Sequence, residues 1–178
     1  MELSTAIALI EKGAPKNNEK EVWADLGAGN GLFTTALATL LPKGSTLLAI
    51  DKDAKSLSTI EISINDIILE KIQLDFNREI LDLEQLNGIL MANSLHFVND
   101  KKSFLLGIKK KLKAYGRIIL VEYERDKANP WVPYPINYVS LQKLSEDCGF
   151  GSIHKIGEAP SRYQQGTMYS ALLTLSAI

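Results

Sequence analysis

The most constraining feature of this sequence is a run of alternating glycines at residues 25–31, which reads Asp-Leu-Gly-Ala-Gly-Asn-Gly. Residues 21–26 predict a short strand before the run, and residues 32–41 predict a compact helix after it, which Pro42 and Gly44 end. A glycine turn between a strand and a helix brings backbone amides to a helix amino end, where nucleotide-type ligands bind. The run therefore predicts a ligand site, against the alternative that its glycines serve only a tight turn.

The rest of the chain alternates predicted strands with predicted helices. The region between the second and third strands, residues 53–66, carries conflicting periodicities and is predicted to be irregular. Further helices are predicted at residues 3–12, at 104–112, and between Ser140 as a cap and Gly149 as a stop. Further strands are predicted at residues 46–50, 67–74, 88–92, 116–123, 152–156 and 167–175. This order predicts a mostly parallel, doubly wound α/β sheet with helices on both faces.

Length and composition exclude several classes of protein. A chain of 178 residues allows one domain with a sizeable core, so residues 1–178 are expected to form a single domain, with the helix and linker at 1–15 as a candidate lid. The formal net charge of -1 gives no overall positive field for nucleic acid. The single cysteine, Cys148, excludes an intramolecular disulfide and a Cys-rich zinc site, so we expect no metal and a cytoplasmic location. No apolar run approaches the ~20 residues that span a bilayer and no export signal is present, so no membrane association is expected.

The spacing of the glycines distinguishes between the known nucleotide-binding motifs. A dinucleotide fingerprint that begins at Gly27 requires a third glycine at position 32, which is Leu32. A phosphate-binding P-loop requires Gly-Lys followed by Ser or Thr, whereas the chain has Gly31, Leu32 and Phe33 at this point. The sequence therefore disfavours a nicotinamide-dependent reductase and a nucleoside triphosphatase.

What remains is the pattern D-x-G-x-G-x-G, followed by Asp51 at the end of the next predicted strand. With these residues the chain resembles the class I S-adenosylmethionine-dependent methyltransferases, as a small single-domain member. The resemblance implies a Rossmann-like, seven-stranded sheet in the order 3-2-1-4-5-7-6 with the last strand antiparallel. It also implies S-adenosylmethionine as the cofactor.

The resemblance further implies which residues hold the cofactor. The glycine loop meets the methionine end, and Asp25 serves the ammonium group because a carboxylate suits a cation. Asp51 has the free acceptors that two ribose hydroxyls require. Asp75 matches the acid that faces the adenine amino group, and its neighbour Phe76 matches an apolar contact to the ring. The full predicted cofactor set is Asp25, Gly27, Ala28, Gly29, Gly31, Asp51, Lys52, Asp53, Asp75, Phe76, Asn93 and Ser94.

The acceptor side is predicted from side chains that follow the fourth and fifth strands. His96 lies in the segment that faces the methyl group in the family, and imidazole can take a proton near neutral pH. Glu122, at the end of the fifth strand, is the other candidate base. The predicted substrate pocket comprises Leu95, His96, Tyr123, Trp131, Tyr134 and Tyr138, with Arg162, Tyr163 and Gln164 as weaker candidates. The alternative for the aromatic residues is packing on the sheet.

These observations lead to an expected function of methyl transfer to a small-molecule acceptor, because the predicted fold carries no added domain. A protein or RNA acceptor is the second expectation, and a non-catalytic cofactor-binding module or partner subunit is the third. Nucleic acid is disfavoured because the lysines at 109–113 occupy the solvated face of a predicted helix. No Asn-Pro-Pro-aromatic motif, which holds an extruded base, follows the fourth strand. An open pocket beside the methyl group favours an enzyme, whereas a pocket filled by Trp131, Tyr134 or Phe97 favours a binding module.

Overall fold

The computed structural model describes residues 1–78, 82–83, 85–161 and 166–175. Within them the strands are β1 (Val22–Leu26), β2 (Thr46–Asp51), β3 (Ile68–Gln73), β4 (Leu86–Ala92), β5 (Leu112–Tyr123), β6 (Ser152–Pro160) and β7 (Thr167–Thr174). The α-helices are α1 (Leu3–Ile10), α2 (Leu32–Leu40), α3 (Ala54–Ser58), α4 (Lys101–Lys109) and α5 (Tyr138–Asp147). Helices and strands alternate along most of the chain, as predicted.

The strands form one sheet in the order β3-β2-β1-β4-β5-β7-β6. Neighbouring strands from β3 to β5 are parallel, and β7 is antiparallel to both β5 and β6. The predicted order and the predicted antiparallel strand are therefore confirmed. The reversal of strand order at β1 and β4 leaves a crevice at their carboxyl ends, which is where ligands bind in open α/β sheets.

Two buried clusters lie on opposite faces of the sheet. On one face the apolar side chains of α4 and α5, such as Leu105 and Leu141, pack with Leu26 and Leu120 of the sheet. On the other face α1 and α2 pack against Trp23, Leu47, Ile119 and their neighbours. The central strands are buried on both faces, which explains why their sequences are continuous apolar runs rather than alternating ones.

The amino-terminal helix α1 is fastened to the sheet. Its inner side chains Ala6, Leu9 and Ile10 are buried, and the hydroxyl of Ser170 in β7 donates a 2.6 Å hydrogen bond to the Leu9 carbonyl. The helix ends at Ile10, two residues before the predicted end, and continues as a 3-10 turn over Glu11–Gly13. A lid role for residues 1–15 stays a prediction.

The structure corrects the prediction for the helix that follows β4. This helix, α4, begins after Asp100, whose carboxylate caps it by accepting from the Ser103 amide, and it ends at Lys109. The predicted helix extended to Leu112, but Leu112 is the first residue of β5 and pairs with Leu86 of β4. Leu112 is buried in β5, and an inward-facing position of a helix would also be apolar. Its apolar character alone therefore did not distinguish a helix position from a strand position.

Two further elements also differ from the prediction. Part of the region predicted as irregular forms the short helix α3, which Asp53 caps. The cap of α5 is Asn137, whose side chain accepts from the Ser140 amide, so Ser140 is a donor to the cap and not the predicted cap itself. The predicted stop of α5 is confirmed, since Gly149 has φ 66° and its amide binds the Glu146 carbonyl.

Candidate functional site

The glycine loop lies at the crevice and is pinned to the end of β2. The amides of Gly27 and Ala28 both donate to the Ile50 carbonyl, at 2.8 and 3.0 Å. The amide of Gly31 donates to the Ala28 carbonyl at 2.9 Å, and Gly31 then precedes the first residue of α2. These contacts fix the loop at the amino end of α2.

Each of the three glycines has a positive φ, but they differ in what surrounds them. A Cβ at Gly27 would approach the Cβ of Ser94 to 2.5 Å, and one at Gly31 would approach Ile60 to 2.8 Å. A Cβ at Gly29 would meet no atom within 4 Å. Gly27 and Gly31 are therefore required by close packing, whereas Gly29 faces open space.

Asp51, the last residue of β2, joins the glycine loop to the start of α3. Its Oδ2 accepts from the Gly29 amide at 2.8 Å, and its Oδ1 accepts from the Asp53 amide at 2.9 Å. A carboxylate oxygen can accept two hydrogen bonds. Each oxygen of Asp51 therefore retains one acceptor position for a ligand.

Two cavities flank the glycine loop. The first, of about 390 Å³, is lined by Ala28 and Gly29, by Phe33 of α2 and by Met1. The second, of about 230 Å³, is lined by residues at or just after the ends of β2, β3 and β4, among them Asp51, Lys52, Asp75, Phe76, Asn93 and Ser94. The second cavity thus brings together most of the residues that were predicted to face a nucleoside.

Asp75 and Ser94 are already engaged at the walls of the second cavity. The Asp75 carboxylate accepts from the Asn77 amide at 3.1 Å, and the Ser94 hydroxyl donates to the Leu26 carbonyl at 2.6 Å. Phe76 presents its ring to Phe104 of α4, with centroids 5.7 Å apart. These contacts hold the cavity walls in place.

A third, larger cavity lies beyond the ends of β4 and β5. It has a volume of about 1030 Å³, and Asn93, His96, Tyr123, Arg125 and Trp131 are among the residues that line it. We call it the cleft. Trp131 is 74% exposed, so its ring lines the cleft without filling it.

Asn93 is the residue at which the three cavities meet, since it lines all of them. It follows β4 with φ 55°, and its amide donates to the Val121 carbonyl of β5 at 2.8 Å. Its Oδ1 is sealed from solvent and, in the described part of the chain, has no hydrogen-bond partner. A sealed carbonyl without a partner is costly, so this oxygen is suited to a ligand donor.

Asp25 lies under the glycine loop. The residue is 1% exposed, its Oδ2 accepts from the Thr34 hydroxyl at 2.7 Å, and its Oδ1 has no partner among the described residues. Burial raises the pKa of this carboxyl to about 7, against the lowering effect of the Thr34 hydrogen bond. The carboxyl lines neither of the two cavities beside the loop, so its predicted contact with an ammonium group stays a prediction.

His96 and Glu122, the two candidate bases, form a single buried pair. The Glu122 carboxylate accepts twice from His96, from the backbone amide at 3.1 Å and from ring Nδ1 at 2.7 Å. His96 is 2% exposed and Glu122 is 1% exposed, and only His96 lines the cleft. The two residues are therefore not independent candidates for the same role.

Several predicted site residues lie away from the three cavities. Leu95 is fully buried in the core because it starts the 3-10 turn that points it inward. Tyr138 opens α5 and packs edge-on against Tyr169. The Asp53 carboxylate caps α3, and Gly31 packs on Ile60.

Tyr134, another predicted pocket residue, lies beside a neighbouring cavity of about 620 Å³ that it shares with Phe97 and Phe76. Its amide donates to the His96 carbonyl at 3.0 Å. The weaker candidates Arg162, Tyr163 and Gln164 lie outside the described residues.

Sequence reasoning missed some of the residues that line these cavities. Asn77 lines the second cavity and Arg125 lines the cleft. Both follow a strand end by a few residues, so the rule that ligands bind at the carboxyl ends of parallel strands was the signal for them.

Among the described residues, no helix has the length and apolar character that a membrane crossing requires. The same residues contain no group of three or more potential metal ligands close enough to hold an ion.

Comparisons with known proteins agree with this geometry. A family model described as a methyltransferase domain matches residues 24–120, which is more than half of the chain. No curated protein sequence matches the chain at a significant level.

Among solved structures, the YcgJ protein from Bacillus subtilis superposes with a TM-score of 0.73 and 10% identity, over 98% of this chain and 100% of its own. A SAM-dependent methyltransferase from Methanosarcina mazei gives a TM-score of 0.67 and 15% identity, over 91% and 95%. An arsenic(III) S-adenosylmethionine methyltransferase from Chlamydomonas reinhardtii gives 0.71 and 15%, over 98% and 73%. At these identities the likeness establishes the fold alone.

Proposed function

The chain belongs to the methyltransferase domain family of S-adenosylmethionine-dependent enzymes, and we propose that it transfers a methyl group to a small-molecule acceptor held in the cleft. The observation that carries the proposal is the position of Asn93, which lines both cavities of the glycine loop and the cleft. A methyl donor and an acceptor must meet in line at one point. The junction at Asn93 offers that point.

The residues around the loop fit this cofactor. Asp51 retains the acceptor positions that a ribose diol requires, and the partnerless Oδ1 of Asn93 suits a ligand donor such as an ammonium group. The open space at Gly29 lets backbone approach the ligand closely. When bound, S-adenosylmethionine supplies an electrophilic methyl carbon on a sulfonium centre.

The state of the cleft supports an enzyme over a binding module. A binding module is expected to fill the acceptor space with Trp131, Tyr134 or Phe97. These side chains are 74%, 42% and 46% exposed, and the space beside Asn93 is open. An acceptor can therefore reach the junction.

The surface lysines support a small acceptor over a nucleic acid. Lys109 donates to the carbonyls of Cys148 and Gly149, where it completes the end of α5. Lys113 donates to the Asn87 side chain at 3.1 Å. Two of the four lysines at 109–113 thus serve the fold, which weakens the case for a phosphate-binding stripe.

The proposal is tested by measuring release of S-adenosylhomocysteine from the chain and S-adenosylmethionine. The mixture contains a pool of small phenols, thiols, amines and carboxylic acids, or a mixed-sequence RNA, or a denatured protein mixture. We expect release with the small-molecule pool alone. Release only with RNA or protein contradicts the acceptor class, and cofactor binding without release from any mixture favours the binding module.

A matched pair of variants locates the reaction. Asn93→Gly removes the junction side chain without straining a positive φ, and it should reduce turnover several-fold. Asn18→Gly, in an exposed loop, should leave turnover unchanged.

A further inference from the structure

The hydrogen bond between His96 and Glu122 selects one tautomer of the histidine ring. An ionised carboxylate can only accept, so the ring nitrogen that lies 2.7 Å from Glu122 Oε2, Nδ1, carries a hydrogen. In the neutral imidazole the other nitrogen, Nε2, is then a bare acceptor. Within the described residues Nε2 has no hydrogen-bond partner, and His96 lines the cleft. The pair therefore presents a proton acceptor to whatever occupies the cleft.

Charged groups near this ring come from several elements, and Arg125, Asp126 and Lys127 line the cleft together with it. From α4, Lys101 is half-buried and donates to the Val98 carbonyl at 2.7 Å; burial lowers its pKa, while attraction to Glu122 acts in the opposite direction. From β7, Tyr169 donates to the Ile136 carbonyl, and burial raises the pKa of its hydroxyl, so it stays neutral. The Tyr123 ring lies 5.9 Å from the imidazole. Glu122 is the one carboxylate among the described residues that hydrogen-bonds to the imidazole.

The walls of the cleft indicate the body of the acceptor. The Phe97 ring lies tilted beside the His96 ring, with centroids 4.4 Å apart, and is nearly half exposed, and the largely exposed Trp131 lines the same cleft. Val132 and Tyr123 also line the cleft. Large exposed aromatic rings beside a base suit a flat aromatic ligand, which gains from stacking as well as from burial.

We propose that the acceptor is an aromatic hydroxyl compound, that Nε2 of His96 takes its proton, and that Glu122 is the positioning residue. This inference rests on the proposed function. The acceptor O–H bond breaks as its O–CH₃ bond forms, the proton goes to Nε2, and the carbon–sulfur electron pair leaves with the sulfur as a neutral thioether. A hydroxyl group requires such a base, whereas a thiolate does not.

The test uses 4-nitrophenol as the probe and the full chain loaded with S-adenosylhomocysteine, which cannot donate a methyl group. The phenolate of this probe absorbs visible light and the phenol does not. Below the probe's own pKa, we expect binding to the wild-type chain to produce the phenolate band. In ¹⁵N NMR, Nε2 of His96 should shift from the bare to the protonated form on binding.

The chain offers a matched control because it has only two histidines. His154 lies exposed on the edge strand β6, away from the cleft. His96→Gln should abolish the phenolate band and reduce methylation of phenols roughly 10²-fold, whereas His154→Gln should change neither. Glu122→Gln should weaken the band below the probe's own pKa and move its appearance to a higher pH, because the imidazole becomes a weaker base when the imidazolium loses its carboxylate; a merely structural role would not move it.

Failure of this inference is distinguishable from failure of the proposed function. If S-adenosylhomocysteine binds but 4-nitrophenol does not, or binds without the phenolate band, the inference is overturned and the proposed function stands. An Nε2 that is already protonated in the free chain at about pH 8 also overturns it. If S-adenosylhomocysteine does not bind, the proposed function fails first. The NMR measurement needs no variant, so a His96→Gln chain that fails to fold leaves it intact.

Discussion

The carboxylate of Asp51 binds the amide of Gly29 at 2.8 Å, and this contact joins the end of β2 to the glycine loop that follows β1. The same carboxylate binds the amide of Asp53 ahead of α3. One side chain therefore sets the separation between the loop, where the methionine end of the cofactor is proposed to lie, and the cavity proposed for its nucleoside. Loss of Asp51 should affect both the shape of the site and its direct contacts.

The glycines of the loop should separate binding from folding. Gly29→Ala should cost only about 1–2 kcal/mol of stability for its positive φ, because its Cβ enters open space. That Cβ points into space proposed for the cofactor, so affinity for S-adenosylmethionine should fall strongly. Gly27→Ala should instead unfold or severely destabilise the chain, because its Cβ meets Ser94 at 2.5 Å. Urea unfolding and calorimetric titration measure the two effects, and a Gly29→Ala chain with normal affinity would contradict the assignment.

The buried carboxyl of Asp25 should make stability depend on pH. Because burial raises its pKa from 3.8 to about 7, the folded chain keeps a proton that the unfolded chain loses between these two values. This group therefore lowers the free energy of unfolding as pH rises through that window and adds no further slope above about 7.

Asp25→Asn should remove this contribution, so that the free energy of unfolding falls less across the window than in the wild-type chain, by an amount on the order of a few kcal/mol. The control is Asp147→Asn at the exposed end of α5, which should keep the wild-type slope. Urea unfolding at several pH values gives both slopes. Parallel curves for the wild-type and Asp25→Asn chains would mean that Asp25 is already ionised in the folded state.

The aromatic residues of the acceptor side should divide into two classes. Trp131→Ala should change stability by less than about 0.5 kcal/mol, because the ring is largely exposed, but it should weaken binding of 4-nitrophenol. Tyr138→Ala should cost about 1–3 kcal/mol, because its ring packs on Tyr169 and under Lys155, and it should leave probe binding unchanged. If Tyr138→Ala instead weakens probe binding and Trp131→Ala does not, Tyr138 belongs to the acceptor site and Trp131 does not.

The parts of the site that the sequence predicted are those with local signals. The glycine loop was recognisable because its glycines alternate along the sequence, and all three have a positive φ in the structure. Asp51 was recognisable because it is the last residue of a strand. Parallel strands bring such ends together whatever the loops do. The sheet order required the family resemblance, because periodicity identifies strands but does not order them.

The parts that were missed depend on contacts between distant residues. His96 and Glu122 are 26 residues apart, and their pairing follows from the 3-10 turn after β4 and the register of β4 with β5. The burial of Leu95 and the capping role of Asp53 were missed for a different reason, because each depends on a short local element, a 3-10 turn and the helix α3, that the sequence did not clearly indicate. A cytoplasmic location stays a prediction.

The most direct test of the central claim is calorimetric titration of the chain with S-adenosylmethionine and, separately, with NADH. We predict that S-adenosylmethionine binds and NADH does not, that Asp51→Ala abolishes or greatly weakens binding, that Asp51→Asn weakens it less because one acceptor oxygen remains, and that the exposed control Asp147→Ala binds normally. Binding of S-adenosylmethionine that is equal in all four chains, or binding of NADH instead, would contradict the account.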